Sequence, residues 1–187
     1  MWYLKRQLPH YYPPEAILFL TWRLFGSLAH VCLTERGSSG PGPNPGKAFA
    51  AADQLLDTAT DGPLWLKDPA LAAIVAGALE QGESEYRLYQ RFAWVVMPNH
   101  VHMVMRPLRP LPEVMRWIKG ATARPANLLL ERTGKPFWQS ETYDRLIRNT
   151  DELNRVIRYF GLHLRRHQRA LAIRSQVPER FQSVRSL

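Results

Sequence analysis

The chain has 187 residues, enough for one domain with a full core and some insertions but short for two. A hydrophobic content of 45% excludes wholesale disorder, and no apolar run approaches the roughly 18–20 residues that cross a bilayer. The single cysteine, Cys32, excludes an intramolecular disulfide and a cysteine-based zinc cluster and indicates a reducing cytoplasm. A formal net charge of +9 favours polyanionic partners. We favour nucleic acid over an anionic membrane because the sequence suggests no extended amphipathic helix beside the basic residues.

The first half of the chain predicts one strand and two helices around a loop. An apolar segment from Ala16 to Gly26 is typical of a strand. Residues 36–46 are rich in glycine, proline and serine, which predicts a flexible loop without a core. Helical periodicity follows at 47–58 and returns from Asp68, a candidate N-cap with Pro69 in the first helical turn.

The second half predicts two strands and two helices. Segments 86–97 and 101–106 are expected to pair antiparallel, and the apolar run before Pro98 is typical of a central strand buried on both faces. A helix is predicted from about Leu111 to Arg132, kinked or divided at Pro125. Residues 138–145 read as a loop or short strand, and a last helix is expected to be capped by Thr150 or Asp151.

This order of elements predicts one α+β domain over residues 1–187. The simplest arrangement is a ferredoxin-like antiparallel sheet with helices on one face, built as a split β-α-β unit. Residues 164–187 form a basic C-terminal tail of the same domain.

Two histidines carry the strongest chemical signal. His100 and His102 are separated by one residue on a predicted strand, so their side chains point to the same face. Two adjacent imidazoles supply half of a divalent metal site. The alternative is a pair of ordinary half-buried histidines.

A second pair lies in the last predicted helix. Tyr159 and His163 are four residues apart, so they share a helical face about one turn apart. A phenol oxygen next to a histidine-bound metal could attack a phosphodiester. The alternative is a core tyrosine and a surface histidine.

The sequence resembles the single-tyrosine HUH transposases, specifically the REP-associated tyrosine transposases. The resemblance runs from about Leu8 to Tyr159, with motifs matching in order and spacing. The matching segments are Thr21–Leu28, Asp61–Pro69, Trp94–His102, Ile118–Gly120, Pro136–Gln139, Tyr143–Asp144 and Val156–Tyr159.

The resemblance implies a site and a reaction. His100 and His102 match the two histidines that bind a divalent metal, Mg or Mn, and Tyr159 matches the nucleophile. His163 occupies the position of the third metal ligand. The implied function is a metal-dependent single-stranded DNA endonuclease and strand transferase. It would act at palindromic hairpins through a 5′-phosphotyrosine intermediate, in the bacterial cytoplasm and nucleoid, as a monomer or homodimer without membrane association.

The chain departs from the family after Tyr159, where the family pattern Tyr-Ile-x-x-Asn-Pro is replaced by a basic sequence from His163 onward. This departure leaves two alternatives open: a non-catalytic DNA hairpin-binding protein, and a phosphoester hydrolase without a covalent step. Tyr143 competes with Tyr159 for the nucleophile role. Trp22, Trp138 and Tyr143 are candidates for base stacking, although packing is expected for at least two of them.

Overall fold

The computed structural model describes residues 12–13, 15–27, 53–60 and 62–166, and of 162–166 it describes the backbone only. The predicted loop at 36–46, residues 47–52 of the first predicted helix and the tail from 167 lie outside these ranges. Residues 53–58 are helical, as predicted. The elements are β1 (Ile17–Arg23), a 3-10 helix (Trp65–Lys67), α1 (Pro69–Ser84), β2 (Tyr89–Val96), β3 (His100–Pro107), α2 (Leu111–Leu129), β4 (Tyr143–Ile147) and α3 (Thr150–Arg166).

The four strands form one antiparallel sheet in the order β2-β3-β1-β4. Two β-α-β connections with this strand order make the ferredoxin-like arrangement, so the predicted α+β class is confirmed. The motif strand β3 is central, as predicted. Its register against β1 sets His102 opposite Thr21 and His100 opposite Arg23.

Each face of the sheet has its own apolar core. The side chains of Leu20, Trp22 and Met103 point to one face, which α1 and α2 cover. Phe19 and Val104 point to the other face, where the apolar residues of α3 pack. The expectation of helices on one face therefore holds for α1 and α2 only.

Strand β2 differs from its prediction as a central strand. It lies at the edge of the sheet. All but one of its residues are nevertheless buried, because helices cover both faces of the sheet at this edge. A continuous apolar run indicates that both faces of a strand are buried. It does not distinguish an edge strand covered by helices from a central strand.

The helix ends confirm one predicted cap and correct another. Asp68 accepts a hydrogen bond from the backbone N–H of Ala70 at 2.8 Å, as expected of an N-cap. At α3 the cap is Asn149, one residue before the predicted candidates: its Oδ1 accepts from the N–H of Glu152 at 2.9 Å. Pro125 lies inside α2 without dividing it, and the helix ends at Leu129, three residues before the predicted Arg132. Within the described ranges, no helix has the length and hydropathy needed to span a membrane.

Candidate functional site

His100 and His102 lie on the sheet face that α3 covers, and both are fully buried. Their Nε2 atoms are 2.9 Å apart and their rings meet edge to face, with centroids separated by 4.5 Å. Phe160 of α3 stacks on the His102 ring with a centroid distance of 5.7 Å. The strand alternation predicted from the sequence thus brings the two buried imidazoles together between β3 and α3.

The outer nitrogen of each ring is held by a neighbouring side chain. Nδ1 of His100 is 2.7 Å from Oδ1 of Asn99, and the Asn99 amide nitrogen donates to the carbonyl of Leu56 at 2.9 Å. That second bond fixes the amide orientation, so Oδ1 must accept from His100 and Nδ1 carries the proton. Nδ1 of His102 lies 2.7 Å from the Thr21 hydroxyl, which can accept in the same way. When the Thr21 hydroxyl accepts, both neutral rings direct an Nε2 lone pair inward.

A carboxylate completes the cluster. Asp53 is buried, and its Oδ1 lies 3.4 Å from Nε2 of His102 and 4.0 Å from Nε2 of His100. The potential ligand atoms of these three residues all lie within 4.8 Å of one another. Asp57, one turn later, places its Oδ1 3.8 Å from Nε2 of His100.

This donor set fits a divalent cation. The two Nε2 atoms are only 2.9 Å apart, and a buried carboxylate adds negative charge to the same space. A divalent cation would offset that charge, and imidazole and carboxylate are common ligands for divalent ions. The hydrogen bonds at Nδ1 are the outer-shell support that metal-bound histidines usually have.

Tyr159 reaches the same cluster from α3. Its hydroxyl donates a hydrogen bond to Oδ2 of Asp53, and its ring centroid is 5.9 Å from that of His102. The phenol oxygen predicted as nucleophile therefore lies beside the two predicted metal ligands. The Tyr159 side chain is only partly buried, whereas both histidines and Asp53 are buried.

The other two predicted participants have different positions. His163 lies in α3 four residues after Tyr159, but its side chain is outside the described part of the structure, so its role as a ligand stays a prediction. Tyr143 lies on β4 and meets Phe19 edge to face at 6.4 Å. Burial raises the pKa of the Tyr143 phenol, although Arg145 acts in the opposite direction. The raised pKa makes this oxygen harder to ionise.

Two of the three stacking candidates have packing roles. Trp22 and Trp138 are buried in the core on the opposite sheet face and meet edge to face at 6.3 Å. The indole N–H of Trp138 donates to Thr122 at 2.7 Å. Neither ring is accessible to an unpaired base.

Three residues of the site were not predicted from the sequence. Asn99 and Thr21 belong to motifs that were quoted, but only the structure shows that they hold the histidines. Asp53 lies 47 residues before His100, and the one available signal was a pair of aspartates, Asp53 and Asp57, spaced one turn apart in an alanine- and leucine-rich helix. Spacing of that kind is common on solvated helix faces and does not by itself indicate a ligand.

The following two are among the solved structures that are similar to this chain. One, described as a REP-associated tyrosine transposase bound to a REP hairpin, shows 17% identity and a TM-score of 0.46, covering 86% of this chain and 73% of the other. The second, a putative transposase from Deinococcus radiodurans R1, shows 16% identity and a TM-score of 0.40, covering 84% and 97%.

No protein-family model and no curated protein matches the chain.

Proposed function

We propose that the protein is a metal-dependent single-stranded DNA endonuclease and strand transferase with Tyr159 as its nucleophile. His100 and His102 would hold a divalent cation, Mg or Mn. One observation supports this most strongly: the Tyr159 hydroxyl lies at a buried cluster of two imidazoles and a carboxylate whose potential ligand atoms are all within 4.8 Å of one another. A purely structural tyrosine does not require this combination.

The chemistry follows from the positions of these groups. A bound divalent cation would polarise a phosphodiester and offset its negative charge. The Tyr159 oxygen would attack phosphorus, and its proton would pass to Oδ2 of Asp53, which already accepts its hydrogen bond. The bond from phosphorus to the 3′ oxygen breaks, leaving a 5′-phosphotyrosine and, after protonation from solvent, a free 3′-hydroxyl. That hydroxyl can reverse the attack on another end, so no nucleotide cofactor is needed.

Arginine side chains are present on β1 and on or just before α3. Arg23 of β1 pairs with His100 of β3. Burial lowers the pKa of the Arg23 guanidinium, against the opposing effect of the nearby Glu141 carboxylate. Arg148, Arg155 and Arg158 are exposed at the start and along the outer face of α3, the helix that carries Tyr159. Cations in this arrangement would contact a nucleic-acid backbone.

Helix α3 is amphipathic, whereas the sequence suggested no extended amphipathic helix beside the basic residues. Its apolar residues Leu153, Val156 and Phe160 are packed on the sheet and are therefore not available to a membrane surface. The exposed arginines of this helix thus favour a nucleic acid over an anionic membrane as the partner. On the resemblance, we propose single-stranded DNA with a REP-like hairpin as the partner, bound by a monomer or homodimer in the bacterial cytoplasm and nucleoid.

The sequence after Tyr159 favours a second candidate, a hairpin-binding protein without catalysis. The family's Asn-Pro is absent there, and His163 stands at the third-ligand position. His163→Ala tests that ligand: Mn(II) affinity should fall severalfold, and unchanged affinity would remove His163 from the ligand set.

A covalent adduct distinguishes the enzyme from the binder. The protein is incubated with Mn(II) and a single-stranded oligonucleotide that carries a REP-like palindrome and its flanks, then denatured and separated on a gel. The proposed function predicts a band shifted by the mass of the attached DNA. Hairpin binding without adduct in any divalent metal would support the binder.

A further inference from the structure

The carboxylate of Asp53 faces two functional groups at once. Its Oδ1 lies 3.4 Å from Nε2 of His102, and its Oδ2 accepts the hydrogen bond of the Tyr159 hydroxyl. No other carboxylate in the described ranges joins both histidines in a cluster of potential ligand atoms. One side chain therefore connects the metal-binding histidines with the nucleophile.

We propose that Asp53 is the carboxylate ligand of the cation and that it couples cation binding to the position of Tyr159. This inference rests on the proposed function for the presence of a cation at His100 and His102. It goes further in assigning a ligand from residues 53–58, far from the motif and independent of His163.

The surroundings of Asp53 support a ligand role. Its side chain is 2% exposed, against 16% for the side chain of Asp57, so its charge is removed from water and needs compensation within the protein. The helical segment that carries it is tied to the motif: the carbonyl of Leu56 accepts from Asn99, which in turn holds His100. The same short segment thus delivers a carboxylate to the imidazoles and fixes the tautomer of one of them.

Coupling follows because Tyr159 is an outer-shell partner of a ligand. Hydrogen bonds to a ligating carboxylate orient it, and removing such a partner typically weakens metal binding about 10- to 100-fold. Linkage requires the reverse effect as well: a cation that orders Asp53 also favours the hydrogen-bonded position of Tyr159. Cation binding would then strengthen the hold of Asp53 on the nucleophile.

The test measures Mn(II) affinity of the full chain without DNA, by calorimetric titration, in wild type and four variants. Asp53→Asn is expected to lose tenfold or more in affinity, because an amide is a poor substitute for a charged oxygen ligand. Tyr159→Phe is expected to lose about tenfold although it removes no ligand. The matched controls Asp57→Asn and Tyr143→Phe should stay within about threefold of wild type. Thermal melts verify that each variant is folded.

Three results would overturn the inference. Affinity in Asp53→Asn within twofold of wild type would remove Asp53 from the ligand set. A loss confined to Asp57→Asn would assign the carboxylate to Asp57. A loss in Asp53→Asn without any change in Tyr159→Phe would make Asp53 a ligand but disprove the coupling.

The adduct assay separates these failures from failure of the proposed function. A wild-type adduct together with unchanged Mn(II) affinity in Asp53→Asn leaves the enzyme standing and rejects the inference. The predicted affinity losses without any wild-type adduct support the inference on a protein that is not the proposed enzyme.

Discussion

At the scale of single residues, the site is defined by which nitrogen of each histidine carries a proton. Asn99 and Thr21 hold the Nδ1 atoms, so both Nε2 atoms face the buried carboxylate of Asp53. This arrangement makes the two histidines competent ligands before any cation arrives. Variants of the histidines and of Asn99 therefore test different parts of the same site.

His100→Ala and His102→Ala should each abolish DNA cleavage while leaving the fold and most hairpin affinity intact. The reason is that a cation lowers the chemical barrier, whereas basic side chains supply the binding energy. Cleavage assays at saturating Mn(II), with hairpin binding measured in parallel, check this. Wild-type cleavage by either variant would reject the metal assignment.

Asn99→Ala should weaken Mn(II) binding by about tenfold or more, because His100 loses the partner that sets its tautomer. It should also destabilise the protein by about 1–3 kcal/mol, since the carbonyl of Leu56 loses its buried donor. Calorimetric titration and urea denaturation measure the two effects. Asn154→Ala, at an exposed position of α3, is the control and should change neither. Unchanged metal affinity in Asn99→Ala would show that the tautomer is set elsewhere.

At the scale of elements, α3 carries Tyr159 to the sheet, and its position depends on a defined start and a buried face. Asn149 caps its first turn, and Phe160 stacks on His102. The helix thereby places a phenol and an aromatic ring against the same strand.

Asn149→Ala should lower the free energy of unfolding by about 1 kcal/mol, as expected for loss of an N-cap side chain. Thr150→Ala is the matched control, because its side chain occupies the first helical position and should matter much less. Urea denaturation of both variants shows which of the two residues caps the helix. A larger loss in Thr150→Ala would restore the cap predicted from the sequence.

The sequence predicted what local patterns determine and missed what distant contacts determine. Strand alternation placed His100 and His102 on one face, and motif order indicated Tyr159, because both signals are contained within a few residues. Asp53 reaches the site from a segment with no distinctive pattern of its own. The edge position of β2 was also beyond prediction, because burial by helices on both faces gives the same apolar run as a central strand.

At the scale of the whole molecule, the net charge of +9 and the arginines of α3 favour a polyanion. Phosphate contacts release condensed counterions, so their contribution depends on salt. Affinity for hairpin DNA should fall by roughly tenfold or more when salt is raised fourfold, for several phosphate contacts. Fluorescence anisotropy with a labelled hairpin measures this. Affinity that barely responds to salt would mean that the charge serves solubility alone.

The central claim is that Tyr159 is a nucleophile at a metal site, and adduct formation by Tyr159→Phe tests it most directly. The substitution keeps the ring on α3 and removes the only atom that can attack phosphorus. Tyr143→Phe is the matched control, because Tyr143 packs on the same sheet face and is the rival nucleophile.

With Mn(II) and a single-stranded hairpin substrate on denaturing gels, wild type and Tyr143→Phe should form the covalent adduct. Tyr159→Phe should form none, while binding the hairpin normally and melting within a few degrees of wild type. An adduct that persists in Tyr159→Phe and disappears in Tyr143→Phe would contradict the account and leave α3 with a structural role.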